Sequence, residues 1–291
     1  MASPQSQTVD DLSLDGLVDS FDVSATGDGS FAGTCPGSRP VVEGTHLMGQ
    51  SIIAAAKVFS GKSIRSAQGV FTRTVQSSLP VEFAVDVVHD GRSLACADIA
   101  VVQNGRRCAM VSVLADQSTA DVIRHQATRP GVAGPSASVP SRPPFTGAEL
   151  RLVDVVDVND PEEVGPPELY AWLRYDSIPA RGEFAKALLT YPTGGLGIST
   201  SMRPHRGVGT SQSHRTISTG VITASITFHE PLTWDGWLLY SHESTYAGSG
   251  LAYIRGQVHT ESGTLLASFT QQAMIRPMAP RPDGASAGGR L

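Results

Sequence analysis

Residues 228–272 read FHEPLTWDGWLLYSHESTYAGSGLAYIRGQVHTESGTLLASFTQQ. Apolar, aromatic and β-branched side chains gather in three runs, Trp237–Ser244, Leu251–His259 and Thr264–Gln272, separated by Ala-Gly-Ser-Gly and Glu-Ser-Gly. Glycine-rich breaks of this length supply the backbone angles of tight turns, so the stretch predicts a three-stranded antiparallel meander. Ile222–Phe228 leads into it as a further β-rich run.

A fainter copy lies upstream. Phe71–Val75, Val81–Val88, Leu94–Gln103 and Arg107–Leu114 are β-rich, with Asp90-Gly91 and Asn104-Gly105 between the last three, the dipeptides that suit two-residue hairpins. Before them His46–Phe59, HLMGQSIIAAAKVF, is helix-length and apolar around most of its circumference. Such a helix must be wrapped by other structure. Ser30–Val42, broken by Gly33, Pro36, Gly37 and Pro40, reads as loop, Leu12–Val23 as a short helix or strand, and residues 1–9 as disordered.

In the second half, Leu150–Val158 and Tyr170–Tyr175 are β-rich, and Phe184, Leu188 and Tyr191 give Arg181–Tyr191 a helical spacing. Pro192, Gly194, Gly195 and Gly197 interrupt that pattern, so Ile198–Met202 is expected as a second, weak helical piece. Phe71 and Phe228 stand 157 positions apart, and the turn glycines Gly105 and Gly263 stand 158 apart. Matching order, turns and helix placement point to a duplicated helix-plus-meander unit. The expected fold class is α+β, two antiparallel sheets each wrapping a central helix. The units span residues 10–118 and 147–277, joined by a Pro/Ser-rich linker (119–146) and followed by a disordered tail (278–291).

Composition narrows the function. A net charge of -5 and the lack of any Lys/Arg run argue against nucleic acid, leaving small molecules and proteins. No apolar run reaches the ~20 residues of a membrane span. The polar, acidic start MASPQSQTVDDLSLDG lacks the basic and apolar regions of an export signal, so a cytoplasmic location is expected. Cys35, Cys96 and Cys108 form no CxxC or Cys/His cluster, which predicts no metal site and buried free thiols.

With the repeat in place, the sequence resembles the type II acyl-CoA thioesterases, whose single chain carries two hotdog domains. The resemblance runs from about Leu12 to Arg276. It rests on Gly49-Gln50, Phe71 with Arg73, His89–Ser93, Val102–Gly105 and His125-Gln126 in the first half. In the second it rests on Trp172-Leu173-Arg174, Phe228-His229 with Pro231, Trp237–Tyr240, Glu243-Ser244-Thr245, Arg255-Gly256, Glu261, Ala267-Ser268 and Gln271.

The resemblance implies hydrolysis of a fatty acyl-CoA to acid and CoA, with no cofactor, metal or covalent intermediate. A carboxylate, a threonine and a glutamine activate a water, and helix N-terminal amides polarise the thioester carbonyl. Carried onto this chain, the glutamine falls on Gln271, the aspartate on Gly194 and the threonine on Val221, with Thr219 or Thr223 two residues to either side as substitutes. Gly195, Gly197, Ile198 and Tyr191 are the expected substrate-binding neighbours, the second helical piece beginning near Gly197. Tyr191 is a candidate to project into the space left by the missing acid. His46, His205, His214 and His229 are the histidines near enough to be weighed as replacement bases.

Two expectations follow. One is a thioesterase-like protein that is weak or inactive because its acid and hydroxyl are absent. The other is a non-catalytic acyl-CoA- or lipid-binding, or scaffolding, protein on the same fold, in which Gln271 is an ordinary strand residue. Free sheet edges and a helix-free face predict a homodimer or higher even homo-oligomer.

Overall fold

The computed structural model describes residues 12–35, 40–77 and 79–278. The disorder expected for residues 1–9 and for the tail beyond Met278 falls outside the described residues, as do Pro36 and Gly37.

The chain opens with α1 (Leu14–Ser20), whose cap Ser13 accepts a hydrogen bond from the Gly16 N–H at 3.0 Å. There follow β1 (Ser24–Gly27), β2 (Ser30–Gly33), α2 (Gly44–Val58), β3 (Ser63–Phe71), β4 (Val81–Asp90), β5 (Leu94–Gln103) and β6 (Arg106–Asp116). The second half contains β7 (Val139–Ser141), β8 (Ala148–Leu152), β9 (Glu168–Tyr175), α3 (Gly182–Met202), β10 (Ile217–Phe228), β11 (Trp237–Gly248), β12 (Leu251–Thr260) and β13 (Leu265–Pro277).

All thirteen described strands form one sheet, ordered β1-β2-β4-β5-β6-β3-β10-β13-β12-β11-β9-β8-β7. Read outward from the β3–β10 junction, the order is the same in both directions: β3 answers β10, β6 answers β13, β5 answers β12, β4 answers β11 and β2 answers β9. This is the duplication expected from the sequence, with the two halves joined edge to edge through the antiparallel pairs Thr223↔Val70 to Thr227↔Ser66. Each half wraps its own helix, and α2 and α3 pack against each other.

Polar ties also cross the junction. Lys186 in the second turn of α3 is buried and donates to Ser63 Oγ at 2.6 Å and the Ile64 carbonyl at 2.5 Å. Arg65 forks onto Asp116 and also donates to the Phe228 carbonyl at 3.1 Å.

Several local expectations are corrected. Ser30–Gly33 is a strand, not loop, because pairing to both β1 and β4 outweighs its Gly content. Phe71 and Phe228 close their strands rather than open meanders: β3 runs over Ser63–Phe71, and its polar residues mark the alternation of a strand with one solvated face. The strand expected over Leu150–Val158 covers Ala148–Leu152 and stops before Asp154, whose φ is 53°. Within the expected linker, Val139–Ser141 pairs with β8.

The largest correction is α3. One helix of 21 residues replaces the two pieces expected, with Pro192 inside it. A proline in mid-helix removes one backbone hydrogen bond, and each interior glycine costs about 1 kcal/mol relative to alanine. Burial supplies the compensation: Phe184, Ala185, Ala187, Leu188 and Leu189 are all core residues. Of the glycines that looked like breakers, Gly194 and Gly197 are positions where other side chains lie directly against the helix backbone.

Candidate active site

Those close approaches define the site. A Cβ placed on Gly194 would lie 2.8 Å from Thr45 Oγ1, 3.0 Å from Thr45 Cγ2 and 3.4 Å from Val221 Cγ2. A Cβ on Gly197 would lie 1.9 Å from Gln271 Nε2. Gln271 therefore lies across the glycine face of α3, and its Nε2 donates to the Gly194 carbonyl at 3.3 Å. The three positions drawn from the resemblance, Gly194, Val221 and Gln271, meet at one turn of α3. They bring to it one amide and no acid or hydroxyl.

The hydroxyl present belongs to Thr45, in the first turn of α2. It is fully buried and donates to the Tyr191 carbonyl at 3.0 Å. Sequence reading passed over Thr45 because its role depends on contact with the other half of the chain, and one threonine ahead of an apolar helix carries no mark of that.

The substitutes for Val221 separate. β10 carries a bulge between Val221 and Thr223, which changes the facing of the strand. Thr219 stays on the inner face with Val221 and is buried, whereas Thr223 pairs with half-exposed Val70 and faces outward. The rule that a two-residue slip keeps the same face fails at the bulge.

The expected substrate neighbours also divide. Gly195 faces open space, and Ile198 packs against the cluster of Ala252, Ile254 and Ala273. Tyr191 does not fill the space at Gly194, since its ring sits among Phe21, His46 and Phe145 at centroid distances of 6.2, 5.9 and 6.1 Å. No helix begins near Gly197. The helix start nearest Gly194 is that of α2 at Thr45, and the side chain of its N-cap Glu43 makes no capping hydrogen bond.

Of the histidines, His46 is 4% exposed, and burial pushes its pKa down to about 4 against a small opposing effect of the Ser20 backbone. His229 bonds Ser268 Oγ at 2.9 Å, with its pKa lowered by partial burial. His205 lies in the turn after α3, and His214 has a φ of 59° ahead of β10. A further histidine, His242, was missed: it is fully buried beneath α3 on the inner face of β11. Gln50, in the middle of α2 rather than at its head, is committed to the fold, donating to the Ser20 and Thr34 carbonyls and accepting from Cys35 Sγ. Cys35 and Cys108 are buried free thiols, while Cys96 is half-buried. Among the described residues no cluster of His, Cys, Asp and Glu fit to hold a metal ion occurs.

A surface cleft of about 730 Å³ lies elsewhere, beside the β10–β11 connection, and includes Glu230, Asp235 and Glu261. It contains none of Thr45, Gly194, Val221 and Gln271, and its carboxylates disfavour a polyanion such as CoA.

Comparison with known proteins agrees with this fold. Residues 36–117 match the acyl-CoA thioesterase N-terminal domain and residues 125–275 the acyl-CoA thioesterase C-terminal domain. The chain is 22% identical to acyl-coenzyme A thioesterase 8 of Mus musculus over 260 residues, covering 80% of this chain and 79% of that one. A tesB protein of Mycobacterium avium subs paratuberculosis superposes with a TM-score of 0.76 at 20% identity, covering 91% of this chain and all of the other. A hot dog fold protein of unknown function from Alicyclobacillus acidocaldarius superposes with a TM-score of 0.72 at 18% identity, covering 91% of this chain and 98% of the other. A tandem double hotdog whose halves match both domain models in order is thus a member of the type II acyl-CoA thioesterase family.

Proposed function

We propose that this protein binds acyl-CoA at the crossing of α2 and α3 and hydrolyses it slowly or not at all. The observation that carries the reading is Thr45, whose side chain occupies the volume into which a carboxylate at position 194 would project. Hydrolysis of a thioester by this family's route needs a base to take a proton from water as the water adds to the carbonyl and CoA leaves as the thiol. Loss of a general base costs about 10²–10⁴ in rate. Gln271 retains an unpaired Oε1, able to accept a hydrogen bond from water but too weakly basic to take its proton. The first turn of α2, with its N-terminal amides and positive dipole end, is suited to face the thioester carbonyl.

The second reading, a non-catalytic acyl-CoA- or lipid-binding or scaffolding protein, is favoured by the same replacements. Gly194 and Val221 are both inert while the scaffold is intact. Release of CoA from palmitoyl-, decanoyl- and short-chain acyl-CoA, followed with a thiol reagent, separates the two. Turnover well above a Gln271→Ala control supports a slow enzyme. Binding by calorimetry without turnover supports the ligand-binding protein, and neither binding nor turnover overturns the proposal.

The proposed setting is the cytoplasm, with buried free Cys35 and Cys108 in keeping with a reducing compartment. The proposed assembly is a homodimer or higher even oligomer, since the outer sheet face exposes Val70, Met110 and Leu114. A monomeric mass by light scattering at micromolar concentration contradicts that assembly.

A further inference from the structure

Between β6 and β7 the chain crosses the outer face of the second half as a strap. Residues 117–134 contain neither helix nor strand, and residues 121–128 are all exposed, yet the segment is fastened along its length. Arg124 pairs with Glu230 at 2.7 Å. Gln126 donates to the Gly263 carbonyl at 2.8 Å and accepts from the Leu265 N–H at 3.1 Å. Further on, Arg129 lies over the Trp172 ring at 5.4 Å, and the Ala133 carbonyl accepts from Trp172 Nε1 at 2.8 Å.

The register shows what lies beneath. Trp172, Leu239 and His259 align across β9, β11 and β12, so their side chains share one face of the sheet. That face is the one turned away from the helices: Trp172 and Leu239 form with Val153 a cluster apart from the main core, and Val132 of the strap packs against it. His259, at the end of this row, is fully buried. Its Nε2 lies 3.3 Å from the Ala127 carbonyl, and its Nδ1 is buried with no hydrogen-bond partner among the described residues.

A carbonyl can only accept, so the neutral ring carries its proton on Nε2 and leaves the Nδ1 lone pair unpaired. A second proton, taken from solvent onto Nδ1, makes a cation with no acceptor beneath the strap. Its neighbours offer no relief. Leu239 of β11 and Leu265 of β13, which align with His259, do not titrate, and Arg129 of the strap acts on the ring with a charge of the same sign. Burial lowers the imidazole pKa below 6.5 and Arg129 adds to this, against an opposing effect of the Ala127 carbonyl. The contribution of neutral His259 to the closed strap is therefore complete above pH 6.5 and is lost as pH falls, because a detached strap returns the ring to water, where its charge is solvated. We propose that residues 124–133 form an acid-released strap: proton uptake by His259 detaches the segment and uncovers Trp172 and Leu239 while both halves of the chain stay folded. An exposed segment held by a few side-chain contacts is the kind of unit that opens locally.

The test is NMR of the full chain from about pH 7.5 to about pH 5, the range in which histidine titrates. It follows the Trp172 indole N–H, assigned with Trp172→Phe, together with the His259 ring nitrogens, and far-UV circular dichroism monitors the fold. The Trp172 resonance is expected to move to the position of a solvent-exposed indole with the same midpoint as the His259 titration, below pH 6.5, at unchanged dichroism. His259→Gln keeps an N–H for the Ala127 carbonyl and does not titrate, so it is expected to hold the resonance in place throughout. A wild-type resonance that stays fixed, that moves with a midpoint apart from that of His259, or that moves only as the dichroism is lost overturns the proposal. Movement that persists in His259→Gln overturns it as well.

Discussion

Thr45 Oγ1 lies 2.8 Å from the point a Cβ would occupy on Gly194, so residues from opposite halves of the chain compete for one volume. Gly194→Asp alone is therefore expected to destabilise the fold, by about 1–3 kcal/mol as overpacking does, with the buried charge adding to the cost. Pairing it with Thr45→Gly removes the clash. Urea unfolding of the single and double variants checks this, and a Gly194→Asp midpoint equal to wild type contradicts the packing described.

Gly197 and Gln271 form a second such pair. A Cβ at position 197 meets the Gln271 amide at 1.9 Å, and although that amide is the end of a flexible side chain, it is buried and bonded to the Gly194 carbonyl. Gly197→Ala gains about 1 kcal/mol of helix propensity but displaces Gln271, and a net loss is expected. In a Gln271→Ala background the same substitution is expected to stabilise. A double-mutant cycle reads the change of sign, and additivity within about 0.5 kcal/mol contradicts it.

The buried histidines make stability depend on pH. His46 and His242 fall from an ordinary value of 6.5 to about 4 and about 3 in the folded protein, so below pH 6.5 the unfolded chain binds more protons than the folded one. Their contribution is complete above pH 6.5 and is lost as pH falls towards those folded values, on the order of 3 kcal/mol for His46. His46→Phe, which keeps a ring against Phe21 and Tyr191, is expected to flatten the urea midpoint between pH 6.5 and 4. Combining it with His242→Leu flattens it further. An unchanged pH profile contradicts the neutral, buried state of His46.

The sequence carried the duplication, the β4–β6 and β11–β13 meanders and the buried helix α2, because these depend on local periodicity and on turns such as Asn104-Gly105. It misled at α3, where Pro192, Gly194 and Gly197 are breakers by propensity but buried contacts hold one helix. The candidate site was legible as positions: Gly194, Val221 and Gln271 converge. Its contents were not. Thr45 reaches the site only because α2 and α3 cross, Thr223 is turned away by a bulge that no residue type announces, and His242 sits in a strand whose neighbours on both faces are buried.

The central claim is that hydrolysis is limited by an acid site filled by Thr45, on a scaffold otherwise intact. The direct measurement is CoA release from decanoyl-CoA by wild type and by the triple variant Thr45→Gly, Gly194→Asp, Val221→Thr. The account predicts a rise in kcat of about 10² or more in the triple variant, abolished by adding Gln271→Ala. Wild-type turnover already equal to that of the triple variant contradicts it.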